Sequence, residues 1–258
     1  MDLQLKGKTA LVTGSTAGIG LAIAQALAKE GASVIVNGRT EERVRAAVKT
    51  SGAAHGIASD LATEAGAREL IAKFGQVDIL VNNLGIFEPK PFAEITDDDW
   101  RRFFEVNVLS GVRLSRHYIE GMKRENWGRI VFISSESALQ IPPEMIHYGM
   151  TKTAQLAISR GLAETTAGTG VTVNAVLPGP TASEGVSEFV QQLAKGQGTD
   201  VASVEREFFR TARPTSLIQR FATADEVAVL VAFVCSPLAA AINGAALRVD
   251  GGVVRSIA

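Results

Sequence analysis

The chain has 258 residues, 46% of them hydrophobic, a length that supports one or two domains with a sizeable core. Its 26 basic and 27 acidic residues nearly cancel to a formal net charge of −1, and no basic block of five or more occurs, so nucleic-acid binding has no electrostatic footprint. No run of about 18 apolar, uncharged residues suggests a membrane span, and the lone Cys235 has no partner for a disulfide or a cysteine-based zinc site.

Short β-branched runs alternate with longer amphipathic stretches. TALVT (9–13) reads as a buried strand, followed by a helical pattern over 19–29. Between them lies TGSTAGIG (13–20). Gly14 permits a tight turn, Gly18 lets backbone approach a pyrophosphate, and Gly20 lets the helix pack close to the strand. The free N–H groups of the helix start favour an anion there. A strand before and a helix after make dinucleotide binding the expectation, against a purely structural turn. SVIVN (33–37) is a second strand, with a charged helix from about residue 41. HGIAS (55–59) is a weaker third, and DILVN (78–82) a fourth after a helix over about 63–74. DDDW (97–100) marks a helix start, since acids suit a helix N-terminus. RIVFIS (129–134), VTVNAV (171–176) and ALRVD (246–250) complete seven strands.

Continuous apolar strands separated by helices imply a parallel sheet covered on both faces. The expected class is therefore α/β: a doubly wound, Rossmann-type, seven-stranded parallel sheet. With no splitting linker and no internal repeat, residues 1–258 are expected to form a single domain. Residues 180–216 break the rhythm with a polar stretch suited to one or two short helices. A connection of this length implies a function, here a flap on the substrate side.

The spacing Gly-x-x-x-Gly-x-Gly resembles the short-chain dehydrogenase/reductase family, which carries TGxxxGxG at this place. Gly14, Ser15, Thr16, Gly18, Ile19 and Gly20 then form the expected cofactor cradle. The second strand ends in Asn37, Gly38 and Arg39, without the acidic residue that binds a ribose 2′-hydroxyl in NAD sites. Arg39 can pair with a 2′-phosphate, so NADP(H) is the expected coenzyme, with NAD(H) as the alternative and a solvated surface charge as the plain reading of Arg39. The resemblance places Asp60 and Leu61 near the adenine. NNLG (82–85) is similar to the family's NNAG, with Leu84 for the usual alanine. Asn82 and Gly85 become cofactor-binding candidates, or turn residues on a plainer reading.

HYGMTK (147–152) sets Tyr148 four positions before Lys152, so both lie on one helix face. An ammonium beside a phenol lowers its pKa toward the range useful for acid–base work. Alone, such a pair is usually an exposed helix face. Thirteen residues upstream stands Ser135, at a strand end where ligands bind in such sheets. Ser134 is a competitor for the same role.

The family's catalytic set maps onto Asn107, Ser135, Tyr148 and Lys152. The resemblance implies that Tyr148 exchanges a proton with a substrate oxygen and that Ser135 hydrogen-bonds the same oxygen. Lys152 tunes the tyrosine and holds the nicotinamide ribose, and Asn107 holds a water in a proton relay. Pro178, Gly179, Thr181 and Ser183, in LPGPTAS, match the segment that meets the nicotinamide carboxamide, with Ser183 where threonine is frequent. Motifs in family order run from about residue 5 to 252.

His55, His117 and His147 lack metal-ligand spacing, so no metal is expected. Glu136, Ser137, Glu144 and Met145 are candidates to shape the pocket, or plain surface residues in the case of the two glutamates. The expected protein is a cytoplasmic, homo-oligomeric (tetrameric or dimeric) NADP(H)-preferring oxidoreductase of a ketone or secondary alcohol, of the 3-oxoacyl or small-carbonyl type. The alternatives are an NAD-dependent hydroxy-acid, sugar-alcohol or steroid dehydrogenase, and a catalytically silent nucleotide sensor.

Overall fold

The computed structural model describes residues 2–257. In chain order the main elements are β1 (Thr9–Val12), α1 (Gly18–Lys29), β2 (Ser33–Gly38), α2 (Glu41–Ser51), β3 (His55–Ala58), α3 (Glu64–Lys73) and β4 (Ile79–Asn82). Then come α4 (Asp97–Phe104), α5 (Ser110–Arg124), β5 (Gly128–Ile133), α6 (Ile146–Glu164) and β6 (Val171–Pro178). The chain ends with β7 (Thr181–Ala182), α7 (Glu184–Gln197), α8 (Val201–Thr211), β8 (Ala222–Thr223), α9 (Ala224–Val234) and β9 (Ala246–Val249).

Seven strands form one parallel sheet in the order β3-β2-β1-β4-β5-β6-β9. The expected doubly wound sheet is present. Alternation along each strand feeds two cores. Ala10 and Val12 of β1 pack with Ile23 and Leu27 of α1 and Val227 and Val231 of α9. Leu11 between them points the other way, into a core with Leu70 of α3, Leu114 and Tyr118 of α5, and Phe132 of β5. Cys235 is fully buried in the first core, and its burial pushes the thiol up to about 12. It is a packing residue.

The strand order reverses between β1 and β4: the chain winds outward from β1 to β3, then crosses through α3 to β4 on the other side of β1. Loops leaving the C-terminal ends of these two strands diverge and open a crevice, where such sheets bind ligands. The helix foreseen from DDDW is α4. Thr96 caps it in a capping box, with its hydroxyl accepting from Asp99 N while the Asp99 carboxylate accepts from Thr96 N. Between α4 and α5, residues Glu105–Leu109 form a turn of π-helix that sequence periodicity does not foretell. The flap over 180–216 holds α7 and α8, both longer than the short helices expected. A two-residue parallel bridge, β7 with β8, ties its base.

Candidate active site

The glycine loop leaves β1 at the reversal point. Gly14 and Gly18 adopt φ of 58° and 55°, values that L side chains rarely take. A Cβ at Gly18 would stand 3.2 Å from Ser183 Cβ, so the loop's outer wall is the start of the flap. A Cβ at Gly20 would run into Asn83 Nδ2 and lie 2.6 Å from Gly14 O. The loop is thus a cradle with no room for side chains at Gly18 and Gly20, at the start of α1, whose first turn carries no acidic residue. These residues fit a dinucleotide pyrophosphate.

Around the cradle the expected residues separate into two groups. Thr16 rests over Gly38, where a Cβ would meet it. Arg39 is exposed beside them and makes no ion pair among the described residues, so it is available to a phosphate. Ser15 is fully buried, donates to Val12 O at 2.7 Å and accepts from Asn37 N at 2.9 Å, so its side chain braces β1 against β2. Leu61 is buried in the second core. The carboxylate of Asp60 accepts from Ala62 N at 3.1 Å on the surface. Asn82 points away from the crevice and donates to Ser115 Oγ of α5 at 3.1 Å. Its neighbour Asn83 does the work at the loop, donating to Thr13 O at 2.9 Å and Gly14 O at 3.0 Å. The one-residue offset follows from strand alternation, since adjacent side chains at the end of β4 face opposite sides.

The other four expected residues converge across β4, β5 and α6. Ser135 follows β5 and faces the cavity. Ser134 also borders the cavity, but its hydroxyl donates to Lys152 O at 2.9 Å and braces α6. Tyr148 lies within hydrogen-bonding reach of Ser135. The Lys152 ammonium sits 5.6 Å from the centre of the tyrosine ring. It donates to Ile133 O at 2.9 Å and to Gln155 Oε1 at 3.3 Å. Asn107 lies in the π turn. Its amide accepts from Ile86 N at 2.8 Å and donates to Ile86 O at 3.0 Å and Thr151 Oγ1 at 3.0 Å. Such turns recur at functional sites because they re-aim one side chain without ending the helix. Gly85 fits between these groups: a Cβ there would be 3.4 Å from Lys152 Nζ and 3.5 Å from Asn107 Oδ1.

The electrostatics differ from the expectation in one respect. Burial pushes the Lys152 ammonium down to about 7. Burial also raises the Tyr148 phenol well above the ordinary tyrosine range. Its hydrogen bond with Ser135 opposes the rise, the Glu136 carboxylate adds to it, and Arg213 offsets part of it. In the protein alone, desolvation therefore outweighs the Ser135 hydrogen bond and the Arg213 charge that favour the phenolate.

Beyond β6, Thr181 donates to Gly179 O at 2.9 Å and Ser183 leads into α7. Gly179 is obligatory, since a Cβ would meet Asp250 O at 2.5 Å. These residues, with Pro178, Tyr148 and Lys152, line a cavity of about 430 Å³. Its outer wall is apolar, from Ile86, Phe87 and Met145 on one side to Val186, Val190 and Phe208 of the flap on the other. Glu136 and Glu144 reach this cavity as expected of pocket residues. Arg213, which sequence reasoning did not single out, joins them from the end of the flap. Gln155 was missed too, and it bridges Lys152 to Asn107 O, to which it donates at 2.6 Å. His147 is fully buried beside Phe103, with ring centres 4.0 Å apart, and does not line the cavity.

Comparison with known proteins agrees with this geometry. The family model for short chain dehydrogenases matches residues 8–194. An uncharacterized oxidoreductase of Bacillus subtilis strain 168, YvaG, is 53% identical over 263 residues, covering 100% of both chains. D-beta-hydroxybutyrate dehydrogenase of Cupriavidus necator is 35% identical over 261 residues, covering 97% of this chain and 99% of its own. The solved structure of L-sorbose reductase from Gluconobacter frateurii, complexed with NADPH and L-sorbose, covers 100% of both chains with a TM-score of 0.92 at 32% identity. The chain is thus an oxidoreductase that belongs to the short-chain dehydrogenase/reductase family.

Proposed function

We propose that the protein is an NADP(H)-preferring reductase that interconverts a ketone and a secondary alcohol at the cavity beside Tyr148. The observation that carries this reading is the convergence of Ser135, Tyr148 and Lys152 on one cavity adjoining the glycine cradle, with Asn107 held behind it against Ile86 and Gln155. The NADPH in the L-sorbose reductase complex supports a nicotinamide coenzyme for this chain as well. Arg39, exposed and without an acidic neighbour at the end of β2, supports the phosphorylated form.

The cradle from Gly14 to Gly20 would hold the pyrophosphate, Arg39 the 2′-phosphate, and Lys152 the nicotinamide ribose, with Gly179, Thr181 and Ser183 beside the carboxamide. When bound, the nicotinamide supplies or takes up the hydride. The protein's own residues manage the proton. Tyr148 gives its phenolic proton to the substrate oxygen in the reductive direction and recovers it in the oxidative one. Its raised pKa keeps that proton in place at neutral pH until the substrate oxygen takes it. Ser135 turns its hydroxyl hydrogen to the same oxygen and stabilises the charge that develops there. Lys152, fixed by Ile133 O and Gln155, keeps a cation beside the phenol while Tyr148 is deprotonated. Asn107 fixes the 86 loop to α6 through Ile86 and Thr151 and leads the proton path from Lys152 outward.

Cytoplasmic location and homo-oligomer formation through the α4–α5 face belong to the same proposal. Among the described residues no helix is long and apolar enough to cross a membrane.

The test is loss of NADPH absorbance with a panel of ketones, alongside coenzyme titration. Turnover is expected, with NADPH bound more tightly than NADH. Arg39→Ala should weaken NADPH by roughly tenfold, the worth of about one charge-assisted hydrogen bond, and leave NADH unchanged. Tight coenzyme binding with no ketone turned over would assign the chain to the silent sensors instead.

A further inference from the structure

Glu136 follows Ser135 at a sharp turn and folds back on it. The carboxylate is buried, with 4% of its surface exposed, yet it lies at the cavity wall. Its Oε2 accepts from Ser135 Oγ at 2.5 Å, from Ser137 N at 2.7 Å and from Ser137 Oγ at 3.0 Å. Its Oε1 accepts from Arg213 Nε at 2.8 Å. Arg213 is 7% exposed and comes from the far end of the flap. Its Nη1 donates to Ala212 O at 2.8 Å and stands 3.5 Å from Glu144 Oε1. Two carboxylates thus share one guanidinium, and the cluster holds one more negative charge than positive. Lys152, the remaining charged residue of the lining, is held away by Ile133 O and Gln155.

An ion pair that only anchored the flap would need no contact with the serine. This one shares its carboxylate with the serine, Oε1 accepting from Arg213 and Oε2 from Ser135. A substrate oxygen to which Ser135 turns its one hydroxyl hydrogen, away from Glu136, lies about 2.8 Å from Oγ, and so within about 5 Å of the Glu136 carboxylate. A substrate carboxylate one or two carbons from the carbonyl would enter the same dry space, where like charges are poorly screened. Arg213 is already engaged by both glutamates. The Tyr148 phenol responds to Glu136 and to Arg213 in opposite senses, so the reacting position feels the pair's charge.

We propose that Glu136, with Glu144 and Arg213, is a charge filter that admits neutral ketones to Ser135 and Tyr148 and turns away those carrying a nearby carboxylate. The proposal rests on the ketone-reductase reading and deepens it to a substrate class. The matched pairs that test it are 3-oxo acids and their methyl esters, beginning with acetoacetate and methyl acetoacetate, assayed with NADPH at neutral pH. The full chain should reduce the esters with kcat/KM at least about tenfold above the acids, a modest outcome for a like-charge clash. Glu136→Gln should bring the ratio toward parity, Glu144→Gln should lower it less, and Arg213→Gln should widen it. A merely structural role would change ester and acid by one common factor.

Wild-type enzyme that reduces the acids as well as the esters, or better, overturns the filter and places the substrate carboxylate on Arg213. So does an ester-to-acid ratio unchanged in Glu136→Gln. Because the wild-type ratio needs no variant, a failure of these variants to fold does not protect the proposal. Failure to consume NADPH with any ketone, acid or ester, would remove the reductase reading too, a result distinct from an enzyme that is active but prefers acids.

Discussion

At Tyr148 and Lys152, burial and charge act against one another. Spacing alone put an ammonium beside a phenol, and it stands there, 5.6 Å from the ring centre. What spacing does not convey is the desolvation that pushes the lysine down to about 7 and the tyrosine up. For Lys152 the sign is definite. The folded chain binds fewer protons than the unfolded one between about 7 and the ordinary lysine value, so stability rises with pH across that window. The penalty for burying the ammonium is fully present below about 7 and is on the order of 5 kcal/mol. Lys152→Met lacks it, so the Tm advantage of that variant over wild type, whatever its offset, should shrink as pH is raised above neutrality. A difference constant with pH would mean that the lysine is not desolvated. Gly20 offers a second residue-scale prediction. Gly20→Ala forces a Cβ against Asn83 Nδ2 and Gly14 O, and is expected to cost about 1–3 kcal/mol by overpacking and to abolish coenzyme binding. Denaturant unfolding with a coenzyme titration checks both. Thirteen-residue spacing to Tyr148 favours Ser135 over Ser134, and in the structure Ser135 lines the cavity while the Ser134 hydroxyl is engaged by Lys152 O. Asn83 was not legible over Asn82, because a doublet at a strand end does not reveal which member faces the crevice.

At the scale of elements, the glycine loop, the Tyr-x-x-x-Lys helix and the capped start of α4 carry local signatures and were readable. The π turn at Glu105–Leu109 was not, since an extra residue per turn leaves the apolar spacing of α4 and α5 nearly intact. Yet this turn sets Asn107 against the 86 loop. Asn107→Leu would leave the N–H and C=O of Ile86 without their partner. Such a loss costs about 1–3 kcal/mol. We expect that variant to fold with a lower Tm and to lose most of its kcat while coenzyme affinity stays within about threefold, since Asn107 touches no part of the cradle. Unchanged kcat would show that the turn serves packing alone. The flap's helices were foreseen only as a break in the strand–helix rhythm. Arg213 reaches Glu136 across 77 residues of sequence, a contact set by the flap's closure on the sheet rather than by any local pattern.

At the scale of the whole molecule, the seven strands and their two-sided cover follow from unbroken apolar strands between amphipathic helices. Their order does not. Composition cannot say that β4 pairs with β1, and that pairing is what opens the crevice at the C-terminal strand ends. Through that topology, residues far apart in sequence arrive at one cavity: a cradle from β1, a serine from β5, a tyrosine and lysine from α6, and a charged pair closed by the flap.

The central claim is that the Tyr148 phenol carries the proton in a nicotinamide-dependent ketone reduction. Its most direct measurement compares kcat and NADPH affinity of wild type and Tyr148→Phe on the best ketone substrate. The phenyl ring preserves the packing against Phe87 and removes only the hydroxyl. We predict a fall in kcat of about 10²–10⁴-fold with NADPH affinity unchanged. Full activity in the phenylalanine variant would contradict the account.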